Sequence, residues 1–203
     1  IDINTGQISN TKIWDAASLL DAKNFNTRYI ATFNGNAAIP FQWGSLNTTM
    51  QNSLNTPVSP PGPSDGQNVL NFLRGDRSLE TITYRSRFHV LGDIVDANPV
   101  IVSGAIANYA DTGYTAFASS VSSRTPMIYQ GANDGMLHAF NLSTGQEAWA
   151  YIPGLVFNNL NALANRTYSH RFYVDGTPTV GDVADSSNNW HTILVGGLRA
   201  GGN

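Results

Sequence analysis

The 203-residue sequence contains no cysteine, which excludes a disulfide framework and any chemistry that needs a thiolate. Charge is scarce as well. Asp, Glu, Lys and Arg make up 12% of the chain, with only two lysines, Lys12 and Lys23, and two glutamates, Glu80 and Glu147. An average soluble protein carries about 25%. Helical bundles draw on Lys and Glu for their solvent faces, so this poverty argues against one. The formal net charge of -3 leaves no basic footprint, and no nucleic-acid partner is expected. No apolar run reaches the ~18 residues a membrane-spanning helix needs, so no transmembrane segment is expected in this chain.

What the sequence does contain is turn chemistry between short β-prone runs. In "PMIYQGANDGMLHAFNLSTGQEAWAYIPG", Pro126 to Gly154, Met127 to Tyr129 and Met136 to Phe140 flank Gln130 to Gly135. Asn, Asp and Gly tolerate positive φ at low cost, so that segment is expected to be a hairpin turn. Asn141 to Gly145 supplies a second turn and Gln146 to Ile152 a third strand. Along the middle strand Met136, His138 and Phe140 should face one way, Leu137 and Ala139 the other. This density of short antiparallel strands is that of a propeller blade or a sandwich.

The rest of the chain divides into three expected regions. Residues 1–54 form an initial partial blade with helical pieces at Trp14 to Ala22 and Ser45 to Leu54, and a strand at Arg28 to Gly35. Residues 55–66, "NTPVSPPGPSDG", hold four prolines and two glycines and form a loop. Residues 67–203 carry the blades, one complete and one cut off at the C-terminus, preceded by a short helix at Gln67 to Asp76. Helical insertions are expected near Thr115 to Val121 and Leu155 to Leu163. "NTGQ" before Trp14 loosely echoes "STGQEAWA".

A second repeat is more telling. "NPVIVSG" at Asn98 and "TPTVGDV" at Thr177 are both proline-led strands. "IYQGANDG" follows the first and "ILVGGLRAGG" the second, each a strand ending in a Gly-rich turn. Repeated small antiparallel units, none able to bury both faces alone, point to a β-propeller. The expected fold class is therefore all-β with short helical insertions, a fragment of a propeller; an irregular sandwich is the alternative.

Four ordered blocks, "YRSRFHVLGDIVDANPVIVSG", "IYQGANDGMLHAFNLSTGQEAWAYIP", "YSHRFYVDGTPTVGDV" and "WHTILVGGLRAGG", resemble the C-terminal β-propeller of the PilC/PilY-type adhesins associated with type IV pilus tips. The resemblance covers most of Leu70 to Asn203, and "IWDAASLL…RYIATFNG" fits the start of that domain. It implies a seven-bladed, quinoprotein-like propeller at the pilus tip, cell surface, periplasm or outer membrane. It also implies support of pilus biogenesis, opposition to retraction and attachment, with minor pilins and a host or surface receptor as partners. The aspartate-rich calcium loops of family propellers have no match here. "DVADSSNN" has only Asp182 and Asp185 and is expected to be a solvated hairpin loop. No cofactor is expected in this stretch, and calcium is left to other parts of the full-length protein.

Other chemistry is weighed residue by residue. Trp14 and Trp149 are expected to dock blades rather than hold a quinone, since no cysteine pair and no Asp–Glu cluster stands out. A quinoprotein-type oxidoreductase or a non-adhesive envelope scaffold are the competing readings; a non-enzyme is expected. Arg74-Gly75-Asp76 is the integrin-recognition tripeptide and the candidate adhesion motif, although a glycine just past a helix is first a cap. His89, His138, His170 and His191 lack metal-ligand spacing, with one or two expected to bond within the core. "SHRFYVDG" lacks a nucleophile-elbow pattern. Arg85 and Arg87 are expected on one side of a strand, paired with Asp93 or Asp96.

Overall fold

In the computed structural model, which describes residues 12–57 and 62–202, three helices start on side chains suited to capping. Asp15 accepts hydrogen bonds from the N–H groups of Ala17 and Ser18 and opens α1, Ala16–Asp21. Asn47 accepts from Met50 and opens α2, Thr48–Asn55. Asp65 accepts from Asn68 and opens α3, Gly66–Arg74. Each cap satisfies donors that the first helical turn leaves unpaired. A fourth helix, α4, spans Tyr114–Ser120. The "NTGQ" echo and part of the Pro-rich loop lie outside the described residues.

The strands are β1 (Ile30–Phe33), β2 (Ala38–Pro40), β3 (Val100–Val102), β4 (Met127–Ala132), β5 (Met136–Asn141), β6 (Glu147–Ile152), β7 (Thr179–Ala184) and β8 (Trp190–Val195). Six form one sheet in the order β2-β1-β6-β5-β4-β3. The run β3 to β6 is antiparallel throughout, as the turn chemistry predicts. The turn between β4 and β5 narrows to Asn133-Asp134-Gly135, because pairing continues out to Ala132 and Met136. The β1–β2 hairpin then joins the outer edge of β6, with β1 parallel to it. Residues of the expected initial partial blade thus extend the sheet of the complete one. A separate antiparallel pair, β7–β8, lies beyond.

One face of the large sheet is sealed by helices. Met136, Ile30, Ala150 and Ile152 pack with Leu54 of α2, Val69 and Phe72 of α3, and Val156, Leu160 and Leu163 of a 3-10 stretch, Gly154–Ala164. The expected insertion at Leu155 to Leu163 is therefore mostly core. Leu155 alone among its large apolar residues stays exposed. Asn161, fully buried, ties this stretch to the Pro-rich loop by donating to the carbonyls of Leu54 and Pro63 at 2.6 and 2.9 Å. Burying an amide without such partners would cost on the order of 1–3 kcal/mol. α4 packs on β8 through Tyr114, whose ring meets Trp190 edge-on at 4.8 Å.

Gly131 in β4 marks a close approach. A Cβ there would lie 2.5 Å from the Val174 carbonyl oxygen, so no larger residue fits without moving backbone. That contact holds the segment leading into β7 against the centre of the blade.

Candidate functional site

The most concentrated polar chemistry lies inside the sealed face, at the end of the β4–β5 hairpin. The register of β5 and β6 slips between Ala139 and Phe140, placing Glu147 opposite Phe140 and on the same face as His138. A bulge re-aims a side chain in this way. Glu147 then accepts from His138 Nδ1 at 2.9 Å and from Arg28 Nε and Nη2, both at 2.8 Å. On its other side, His138 Nε2 lies 3.1 Å from Asp134 Oδ2. Arg28 also donates to the Arg74 carbonyl at 2.7 Å. The result is a chain of alternating charge, Asp134–His138–Glu147–Arg28, linking the hairpin turn, β5, β6 and the segment before β1.

Both ring nitrogens of His138 face a carboxylate, and only the imidazolium has two N–H groups to donate. Burial alone would depress its pKa, but the charge and hydrogen bonds of Asp134, with those of Glu147, lift it to about 9. Burial likewise opposes ionisation of Glu147, yet His138 and Arg28 hold its carboxyl well below the usual carboxylate range. Asp134 also stays below its ordinary value against burial, through the charge and bond of His138 and the Gly92 N–H. The histidine is 0% exposed and its carboxylates are already engaged. Such a group braces a fold; it offers no free base and no open coordination position. Among the described residues no group of three or more His, Cys, Asp or Glu is arranged to hold a metal.

The chain Asp134–His138–Glu147–Arg28 was not anticipated in the sequence, where no Asp–Glu cluster stands out. Its signal was present in the sequence: one of only two glutamates, and a histidine in the middle of an apolar alternation.

Arg74, Gly75 and Asp76 sit at the end of α3. The Arg74 side chain points inward and donates to the carbonyls of Phe41, Phe25 and Arg28 at 2.8, 2.9 and 3.1 Å. Gly75 has φ of 120° and caps the helix, its N–H bonding to Asn71 and Phe72. Asp76 is half-buried and accepts from Ser78 N–H at 2.9 Å. Recognition through this tripeptide would require Arg74, 3% exposed, to give up its three bonds.

Arg85 and Arg87 are not in a strand, which corrects that expectation. Arg87 pairs with Glu80 at 2.8 Å and stacks over the Phe72 ring at 3.6 Å. Arg85 lies over the Tyr168 ring at 4.4 Å. The expected partners are used elsewhere: Asp93 takes His170 at 2.8 Å, and Asp96 takes Arg199. Sequence distance misled here, because the loop from Arg77 folds Glu80 back under Arg87. His89 pairs with Asp21 at 2.6 Å and His191 with Asp185 at 3.3 Å.

Within "DVADSSNN", Asp185 does form a solvated turn, accepting from Ser187 and Asn189 N–H groups. Asp182 instead belongs to β7. It is buried and accepts from Ile106 N–H, the Tyr114 hydroxyl and Thr192 Oγ1 at 2.7, 2.7 and 2.8 Å. Trp14 donates its indole N–H to the Leu142 carbonyl at 3.0 Å, and Trp149 stands 37% exposed beside Tyr129.

An antiparallel four-strand run followed by a second proline-led pair is the arrangement of a fragment of a β-propeller. The PilY1 beta-propeller domain family matches residues 91–203, just over half of the chain, and the chain belongs to that family. The type IV pilus biogenesis factor PilY1 of Pseudomonas aeruginosa strain PAK is 40% identical over 95% of this chain and 18% of its own length. A PilY1 homolog of Xylella fastidiosa strain Temecula1 is 40% identical over 66% of this chain and 12% of its own length. The crystal structure of the Pseudomonas aeruginosa PilY1 C-terminal domain is 41% identical, covering 50% of this chain and 20% of that one, with a TM-score of 0.38. The chain thus spans less than a fifth of the length of these pilus factors.

Proposed function

We propose that this chain is a scaffold and binding portion of a type IV pilus biogenesis factor, acting at the cell envelope or beyond it without catalysing a reaction. The observation that carries the reading is the 40% identity to pilus biogenesis factors across nearly the whole chain. The geometry agrees with a structural role for one group: His138, Glu147 and Arg28 are bonded in sequence inside the core, and Asp134 at the end of that charge chain lies at the edge of a cleft. No helix among the described residues is long and apolar enough to cross a membrane. The finer roles are that the protein opposes pilus retraction, contacts minor pilins at the tip and attaches cells to a receptor. Each is a separable part of the proposal.

The test separates those parts. The parent gene is deleted in cells whose retraction drive is intact or disabled, and surface pili are counted. A protein that opposes retraction leaves few pili in the first background and restored pili in the second. Adhesion is then compared at equal piliation. If pili are equally abundant with and without the gene in both backgrounds, the biogenesis reading is wrong. Should adhesion follow pilus number alone, the receptor role falls while biogenesis stands.

A further inference from the structure

The arginines of this chain are matched unevenly. Arg28, Arg77, Arg87 and Arg199 each meet a carboxylate. Among the described residues Arg85 and Arg166 form no ion pair, yet both line one cleft of about 460 Å³, with Thr81, Tyr84, Ser86 and Tyr168. No Asp or Glu lines that cleft. It lies between the loop 81–86 and the turn that follows the 3-10 stretch. The two walls are tied together: the Arg85 N–H donates to the Ala164 carbonyl at 3.2 Å, and Arg166 Nη1 donates to the Ile82 carbonyl at 3.3 Å.

Arg85 is held in place without being neutralised. Its Nε donates to the Leu163 carbonyl, and its guanidinium lies over the Tyr168 ring at 4.4 Å. The residue is half-buried, and burial lowers its pKa against the weaker opposing influence of Asp93 and Glu80. Those two carboxylates are engaged elsewhere, Asp93 with His170 and Glu80 with Arg87 and Arg77. A half-buried charge so placed costs free energy until a counter-charge reaches it. The cleft wall also holds Thr81 at φ of 66°, and backbone kept in such a conformation gathers at ligand sites. Arg85 borders the neighbouring cleft at the β4–β5 turn as well, but Asp93 and Asp134 there would repel an anion.

We propose that the cleft lined by Arg85 and Arg166 binds a dianionic tetrahedral oxyanion, free or as the terminal phosphate of a small phosphomonoester. Arg85 supplies a fixed fork of N–H donors. Arg166, exposed on the rim, supplies the second charge, and the exposed Thr81 and Ser86 supply hydroxyl donors. A carboxylate has one charge and two oxygens, which a single guanidinium saturates. A phosphate monoester carries about −1.5 to −2 at neutral pH and three terminal oxygens, which two guanidiniums and the hydroxyls match. The inference goes beyond the pilus role and does not rest on it.

The test titrates the full parent chain with inorganic phosphate, sulfate, glucose 6-phosphate and acetate, at one ionic strength held with chloride, and follows the heat. Phosphate and sulfate should saturate a site that acetate fills only weakly. Arg166→Ala, a change at an exposed position, should weaken phosphate about tenfold or more through the loss of charge-assisted bonds. Arg85→Lys keeps the charge, loses the fork and should weaken it several-fold, while Lys12→Ala, outside the cleft, should leave it unchanged. Tighter binding of glucose 6-phosphate than of phosphate assigns the site to an ester, and the reverse order assigns it to the free ion; both uphold the proposal. If Arg85→Lys perturbs the fold, Arg166→Ala decides alone. Absence of saturable binding, or binding that neither variant weakens, would overturn the proposal, and so would acetate binding as tightly as phosphate. Pilus counts are scored separately, so this idea and the pilus role fail independently.

Discussion

The two faces of the six-stranded sheet carry similar residues and have different fates. On one, Met136, Ile152 and Ala150 are sealed under α2, α3 and the 3-10 stretch, and His138, Glu147 and Arg28 are admitted as a chain of alternating charge. On the other, Trp149, Tyr129 and Tyr151 are as apolar but stand half-exposed over a groove. The difference teaches that residue type does not decide burial here. The sealed face is completed by local sequence, with helices supplied from residues 48–74 and 154–164. The open face is met at its β3–β4 side by β7 and β8.

The contrast can be broken most forcefully at Glu147. Replacing it with Ala leaves the buried Arg28 without a carboxylate and His138 with Asp134 alone, and removing one partner of a buried pair costs about 3–5 kcal/mol. Urea unfolding should show that loss, and a cost below about 1 kcal/mol would mean that the charge chain does not brace the sheet. Next in size, Leu54→Ala at 0% exposure opens a cavity under the sealed face, with about 2–5 kcal/mol lost. The same assay checks it.

A smaller, pH-dependent effect follows from His138. Its folded pKa of about 9 lies above the ordinary 6.5. The stabilisation is therefore complete below about pH 6.5 and is lost as pH rises through about 9. Melting temperatures measured from pH 6 to 10 should fall over that range, and His138→Phe should flatten the slope there. The carboxylates act at the opposite end: Glu147 and Asp134, held low, contribute above their ordinary values and lose that contribution as pH falls through their folded ones. Smallest of all, Tyr29→Ser on the open face should change the stability of the isolated 203-residue chain by no more than about 0.5 kcal/mol. Breaking the exposed His170–Asp93 pair should cost about 0–1 kcal/mol.

Much of the sealed architecture was legible in the sequence. The helical pieces expected at Trp14 to Ala22, Ser45 to Leu54 and Gln67 to Asp76 contain α1 and nearly all of α2 and α3, while their caps at Asp15, Asn47 and Asp65 emerged with the structure. The strands β3 to β8 follow from alternation and from Asn, Asp and Gly at the turns. Hidden from the sequence was everything that depends on distant partners. The parallel joining of β1 to β6 brings together residues about 120 positions apart, and no local pattern encodes such a pairing. Arg28 is in the same position: nothing near it signals that its partner is Glu147. Glu80 reaching Arg87 turns on a loop whose path includes Thr81 at φ of 66°, a value rare for a β-branched residue. The Arg-Gly-Asp tripeptide divides in the same way: the capping use of Gly75 was legible in the sequence, and the inward turn of Arg74 onto distant carbonyls was not.

The central claim is that this propeller portion is needed for pilus biogenesis. Its most direct test is the number of surface pili on cells whose parent gene has been replaced by a version carrying Glu147→Ala or lacking this portion, each set against the restored intact gene. Pili should be lost with both and recover with the intact gene, with the parent protein still detectable in the cells lacking them. Normal pilus numbers in cells that lack the portion altogether would contradict the account.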